Sequence, residues 1–133
     1  MKNLKGLYTA LVTPFTTDNH VDYNTLSILI EYGLSNGING FYVCGSAGEC
    51  FLLSADERKN ILEFVINQTN GRATIIAHTG SIGTDLSMDL SLHAKATGAD
   101  AISAVTPYYY KFSMNEIVSY YNDIASTVKS ELY

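Results

Sequence analysis

The feature that most constrains the fold is a repeated alternation of short apolar runs with segments of helical periodicity. The apolar runs LYTALVTPF (7–15), GFYVC (40–44), ATIIAH (73–78) and DAISAV (100–105) start 33, 33 and 27 residues apart. After the first, residues 22–36 carry Leu26, Leu29, Ile30, Gly33 and Leu34 on one helical face, with Gly37 as the stop. Ser54-Ala55-Asp56-Glu57 reads as a capping box, in which the serine caps an orphan amide and the glutamate reaches back. It opens a helix carrying Arg58, Ile61, Leu62 and Val65 at helical spacing. Thr84 is placed to cap a third helix, with Leu86, Leu90, Ala94 and Thr97 along one side and Gly98 at its end. A second capping box, Ser113 to Glu116, opens a last helix striped by Ile117, Tyr121, Ile124 and Val128.

These are four βα units in a single domain spanning residues 1–133, of α/β class. The strand runs lack clean polar alternation, which predicts burial on both faces of a parallel sheet. Two architectures fit: a small open doubly wound sheet, or half of an eightfold barrel, which normally takes ~250 residues. Periodicity alone does not separate them.

Composition narrows function mainly by exclusion. The net charge is −5 and the eight basic residues are scattered, so no basic patch invites nucleic acid or an anionic membrane. No apolar run approaches the ~20 residues needed to span a bilayer. The N-terminal MKNLKGLYTALVTPF is broken by Tyr8, Thr9 and Thr13 and ends at Pro14 without an A-x-A-like site, so it reads as a strand and not a signal peptide. Cys44 and Cys50 have a spacing that allows a disulfide, but two buried thiols in a cytoplasmic protein is the favoured reading.

In either architecture ligands bind at the carboxyl ends of parallel strands. The loops there are Thr13-Pro14-Phe15, Gly45-Ser46-Ala47-Gly48-Glu49, Thr79-Gly80-Ser81 and Thr106-Pro107-Tyr108-Tyr109-Tyr110-Lys111. Each carries a hydroxyl residue, although Ser and Thr also favour turns for local hydrogen bonding. In the Gly45–Glu49 loop, glycines on both sides allow close backbone approach and positive φ, so amides can converge on a small carboxylate or phosphate with Ser46 as a further donor. The loop matches neither a P-loop nor G-x-G-x-x-G. Glu49 reads as structural. Three consecutive tyrosines cannot all be buried, so one faces a pocket or a partner, unless they form a packing corner. His78 ends a strand and is a candidate base or ligand, while His20 and His93 read as surface or core residues. No metal site and no cofactor are indicated.

GLYTALVTPF, GFYVCGSAGECFLLS and DAISAVTPYYYKFS together resemble the N-terminal half of the pyruvate-dependent class I aldolase family, which includes N-acetylneuraminate lyases and dihydrodipicolinate synthases. The Tyr110-Lys111-Phe112-Ser113 continuation and FLLS after the glycine loop resemble the lyase branch. The resemblance implies the first four units of a (β/α)8 barrel, usually a homotetramer, acting on sialic acid and pyruvate by Schiff-base aldol cleavage. It implies that Ser46, Ala47 and Gly48 hold the pyruvate carboxylate. It also implies that Tyr109 reaches into a neighbouring subunit and joins a hydroxyl relay through Ser46. Ala47 stands where the family usually has Thr or Ser. The family's Schiff-base lysine and acid–base tyrosine have no counterpart: Lys2, Lys5, Lys59, Lys95, Lys111 and Lys129 lie in no late-strand motif, and Tyr133 lacks the surrounding pattern. The expectation is therefore a truncated portion, inactive alone. A noncatalytic half-barrel binding a small carboxylate or a full-length relative, a synthase-like condensing enzyme, and an unrelated open α/β binding domain are the alternatives.

Overall fold

A computed structural model describes residues 4–129; Lys2 and Tyr133 lie outside the described residues. Four strands, β1 (Tyr8–Ala10), β2 (Gly40–Val43), β3 (Thr74–His78) and β4 (Ala101–Ser103), alternate with four helices, α1 (Tyr23–Ser35), α2 (Ala55–Thr69), α3 (Thr84–Thr97) and α4 (Met114–Val128). All three pairings are parallel and the sheet order is β1-β2-β3-β4.

That order separates the two architectures left open by periodicity. A doubly wound sheet needs a reversal of strand order to place helices on both faces. Here every crossover advances one strand in the same direction, and right-handed crossovers then put all the helices on one face. This is the winding of a barrel.

The register shows which face is which. Phe41, Val43, Ile75, Ala77 and Ile102 pack with Leu26, Ile30, Ile61, Leu62 and Val65 in one buried cluster between sheet and helices. On the opposite face Tyr42 pairs with Ala10 and Ile76, and His78 with Ser103. Tyr42, Ile76 and Ser103 are only half-buried. Thr74 and His78 on this second face are nonetheless buried, so the expected burial on both faces holds at the ends of β3 and only in part at its middle.

Helix α1 starts at Asp22, whose carboxylate accepts from the amides of Asn24 and Thr25 at 3.0 and 3.1 Å. The Thr25 hydroxyl, at 2.6 Å, is the main reason this carboxyl lies below its usual range. Both predicted capping boxes form, at Ser54–Glu57 and Ser113–Glu116.

The third helix departs from expectation. Its cap is Gly83, which has no side chain to offer, and Thr84 is its first residue. The buried face runs through Ser87, Leu90, Ser91 and Ala94, leaving Leu86 41% exposed. The helix is rotated because its serines find partners inside. Ser87 Oγ lies 2.9 Å from both Ser81 Oγ and Tyr120 Oη, and Ser91 Oγ donates to Thr79 Oγ1 at 2.7 Å. On α4 the buried residues are accordingly Tyr120, Ile124 and Val128. Tyr121 is part-buried and its hydroxyl donates to the Ala104 carbonyl at 3.2 Å.

Candidate functional site

The loop after β2 turns in three steps. Cys44 adopts a left-handed conformation at φ 55°, residues 46–48 form a short 3-10 turn, and Glu49 is again left-handed at φ 56°. Neither Gly45 nor Gly48 lies at positive φ, so the expected positive φ at these glycines is corrected. The glycines answer to crowding. A Cβ on Gly45 would sit 2.3 Å from the Tyr42 ring, and one on Gly48 would sit 2.9 Å from the Leu11 carbonyl oxygen. Tyr42, held through its hydroxyl 2.9 Å from Ser103 Oγ, is therefore the floor under the loop.

Ser46 and Ala47 are exposed at the rim and Gly48 is buried. The Gly48 and Glu49 amides close the turn on the carbonyls of Gly45 and Ser46, each at 3.0 Å. Ser46 and Ala47 open the turn, and their amides donate to no carbonyl of the described residues. Gly48 serves the shape: its amide is used within the turn and its carbonyl accepts from Thr13 Oγ1 at 2.8 Å. The Glu49 side chain is exposed and forms no hydrogen bond to the described residues.

The other strand-end hydroxyls are largely consumed by structure. Thr13 holds Gly48, Thr79 accepts from Ser91, and Ser81 joins Ser87 and the Gly83 carbonyl. Ser46 and Thr106 remain exposed. Of the three tyrosines, Tyr108 is half-buried with its ring 4.4 Å from that of Phe51, and burial raises its phenol pKa. Tyr109 is 86% exposed and sits at φ 78°, strained for a residue with a Cβ. Its ring meets that of Tyr110 edge-on at 5.0 Å.

His78 is buried between the ends of β2 and β4. Its Nδ1 lies 2.9 Å from the Cys44 carbonyl, and its Nε2 accepts from the Val105 amide at 3.2 Å. Burial, with the Arg58 guanidinium nearby, pushes its pKa down to about 4. Arg58 is itself buried and donates to the carbonyls of His78 at 2.9 Å and Gly80 at 3.2 Å. His20 is exposed, and His93 pairs with Glu63 at 2.7 Å on the helical layer. Cys44 and Cys50 are free and buried, and burial pushes the Cys44 thiol up to about 12. Among the described residues no three His, Cys, Asp or Glu side chains converge as a metal site.

Sequence reasoning missed Tyr42, Ser103 and Arg58. The one available signal was the aromatic at Tyr42 three positions before Gly45, a glycine whose place the ring demands.

The profile of the Dihydrodipicolinate synthetase family matches residues 3–132. The chain belongs to that family. It is 43% identical to the N-acetylneuraminate lyase of Rhizobium meliloti over 122 residues, covering 92% of this chain and 41% of that protein. Against the N-acetylneuraminate lyase of Citrobacter koseri it is 41% identical over 128 residues, covering 96% and 43%. Among solved structures it superposes with TM-score 0.96 on CdNal from Clostridium difficile in complex with mannosamine, at 37% identity, covering 98% of this chain and 46% of that one. A prophage protein of the dihydrodipicolinic acid synthase family from E. coli K12, in complex with pyruvate, matches with TM-score 0.94 at 32% identity, covering 97% and 43%. The chain spans about two fifths of the length of the curated relatives it matches. Its four parallel units correspond to the first half of the family's barrel. No helix among the described residues is long and apolar enough to cross a membrane.

Proposed function

We propose that this chain is the carboxylate-holding half of an N-acetylneuraminate lyase, a class I aldolase that cleaves sialic acid reversibly to N-acetylmannosamine and pyruvate. The observation that carries the reading is the rim at Ser46 and Ala47: two unspent amides and one exposed hydroxyl, seated on the Tyr42 ring at a strand's carboxyl end. Donors left free on one short turn suit the carboxylate of pyruvate. The identities to neuraminate lyases favour that chemistry over a synthase-like condensation.

The reaction needs an amine nucleophile on the keto carbon. No strand of the described residues carries a lysine. Lys59, on α2, pairs with Asp89 at 2.6 Å, and Lys95, on α3, donates to the Val128 carbonyl. The Schiff-base lysine is accordingly assigned to a barrel half outside these residues, and the chain alone is assigned no turnover. Tyr109 fits the role of a phenol delivered to a neighbouring copy. It is the most exposed of the large hydrophobic side chains among the described residues and sits on a left-handed backbone. In a homo-oligomer it would meet the partner's Ser46 rim and relay a proton there.

The test supplies the C-terminal portion of the Rhizobium meliloti lyase as a separate polypeptide and adds pyruvate and borohydride. The expected result is a reduced pyruvate adduct on a lysine of the supplied portion, needing about one to two decades more pyruvate when this chain carries Ser46→Ala. An adduct on a lysine of this chain overturns the assignment, as does adduct formation indifferent to Ser46.

A further inference from the structure

We propose that His78 is a positioning residue that holds the Ser46 turn and the tyrosine loop in one fixed relation. The imidazole sits at the end of β3, 6% exposed, and touches the chain on both sides of it. On the β2 side is the Cys44 carbonyl at 2.9 Å from Nδ1, and on the β4 side is the Val105 amide at 3.2 Å from Nε2.

A backbone amide only donates, so Nε2 must accept and carries no proton. The ring proton then resides on Nδ1 and points at the Cys44 carbonyl, which only accepts. The two neighbours dictate a single neutral tautomer. A second proton on Nε2 would face the Val105 N–H head-on.

What the ring holds is the pivot of the proposed clamp. Cys44 is a non-glycine residue at φ 55°, a conformation that costs of order ~1 kcal/mol and persists only where its surroundings impose it. Its carbonyl is fixed by His78, and its Sγ lies 3.7 Å from the Arg58 carbonyl oxygen, with donor geometry. Two residues later the chain presents Ser46. On the other side, Val105 leads through Pro107 into Tyr108 and Tyr109. A second link runs through rings: Phe51 meets His78 edge-on at 6.2 Å and packs against Tyr108 at 4.4 Å with the rings tilted by 52°. Arg58 donates to the His78 and Gly80 carbonyls and so fixes the end of β3 from which the ring projects. His78 thus couples the two loops that carry Ser46 and Tyr109 without reaching the rim itself. The functional meaning of that coupling rests on the carboxylate reading above, but the coupling itself is testable without ligand.

The experiment uses the 15N-labelled chain. In the wild type, long-range imidazole spectra are expected to show His78 protonated on Nδ1 alone, and the Val105 amide is expected to be protected from hydrogen exchange. A proton on Nε2, or a Val105 amide that exchanges freely, overturns the proposal even if no variant folds. In His78→Asn the amide nitrogen can replace Nδ1 but nothing replaces Nε2. The backbone signals of 45–47 should stay while those of 105–109 move. In His78→Gln the amide oxygen can replace Nε2, and the pattern should invert. If both variants move both loops alike, or neither moves either, His78 does not join them as described. A pyruvate titration then separates the two readings. Weakening by about tenfold or more in His78→Gln but not in His78→Asn supports positioning of the clamp. A wild type that ignores pyruvate while the loop shifts follow the pattern sinks the carboxylate reading and leaves the coupling standing.

Discussion

At Ala47 one missing hydroxyl separates this rim from the Thr or Ser usual in the family it resembles. The backbone amide at that position still donates to no carbonyl of the described residues. A hydrogen bond to a charged group is worth ~1.5–3 kcal/mol, so Ala47→Thr is expected to tighten pyruvate binding by about one to two decades. A dissociation constant unchanged by that substitution would show that the side chain at 47 does not face the carboxylate. His78 allows a prediction of a different kind. Its folded pKa of about 4 lies below the ordinary 6.5. The unfolded chain therefore takes up a proton that the folded chain refuses between those values. Stability from this group is complete above about pH 6.5 and falls as pH drops toward 4, by at most about 3 kcal/mol. Urea midpoints measured across that window should lose part of their slope in His78→Leu, and an unaltered slope would contradict the neutral, buried ring. The resemblance pointed to Ala47, but the part of His78 was not legible in the sequence, which offered it only as a candidate base or ligand. An imidazole's work depends on what lies beside it in space, and Cys44 and Val105 are distant from His78 along the chain.

At the scale of elements, all four helices were readable, but the face that the third one buries was not. Ser54–Glu57 and Ser113–Glu116 are local patterns whose partners lie three residues apart, so reading them required no tertiary information. Helix α3 is different. Its stripe through Leu86 looked apolar and complete, yet the helix turns Ser87 and Ser91 inward because Ser81, Thr79 and Tyr120 satisfy them. A buried hydroxyl is tolerated only with partners, and those partners come from the β3–α3 loop and from α4. Tyr120→Phe removes the shared hydroxyl and leaves Ser87 and the Ser81 backbone short of a partner. The expected loss is about 1–3 kcal/mol of unfolding free energy, read as a lower urea midpoint with an unchanged slope. A midpoint equal to that of the parent would mean that the hydroxyl network does not hold α3 against α4.

At the scale of the whole molecule, the alternation of runs foretold four βα units, but the choice between a wound sheet and a barrel waited for strand order. Hydrophobic periodicity reports which face of an element is buried and says nothing of which strand lies beside which. The resemblance carried by the glycine and tyrosine loops pointed to the barrel, and the β1-β2-β3-β4 order agrees with it. The residues proposed for the rim, Ser46 and Tyr109, were singled out in the sequence by loop chemistry and by the resemblance. The floor at Tyr42 was not, because a strand residue among apolar neighbours reads as core. The measurement that tests the central claim most directly is a titration of the 15N-labelled chain with pyruvate. The account predicts shifts centred on the amides of Ser46 and Ala47, saturating with concentration and moved to about one to two decades higher concentration by Ser46→Ala. Saturating shifts centred elsewhere, or none at any concentration of pyruvate, would contradict it.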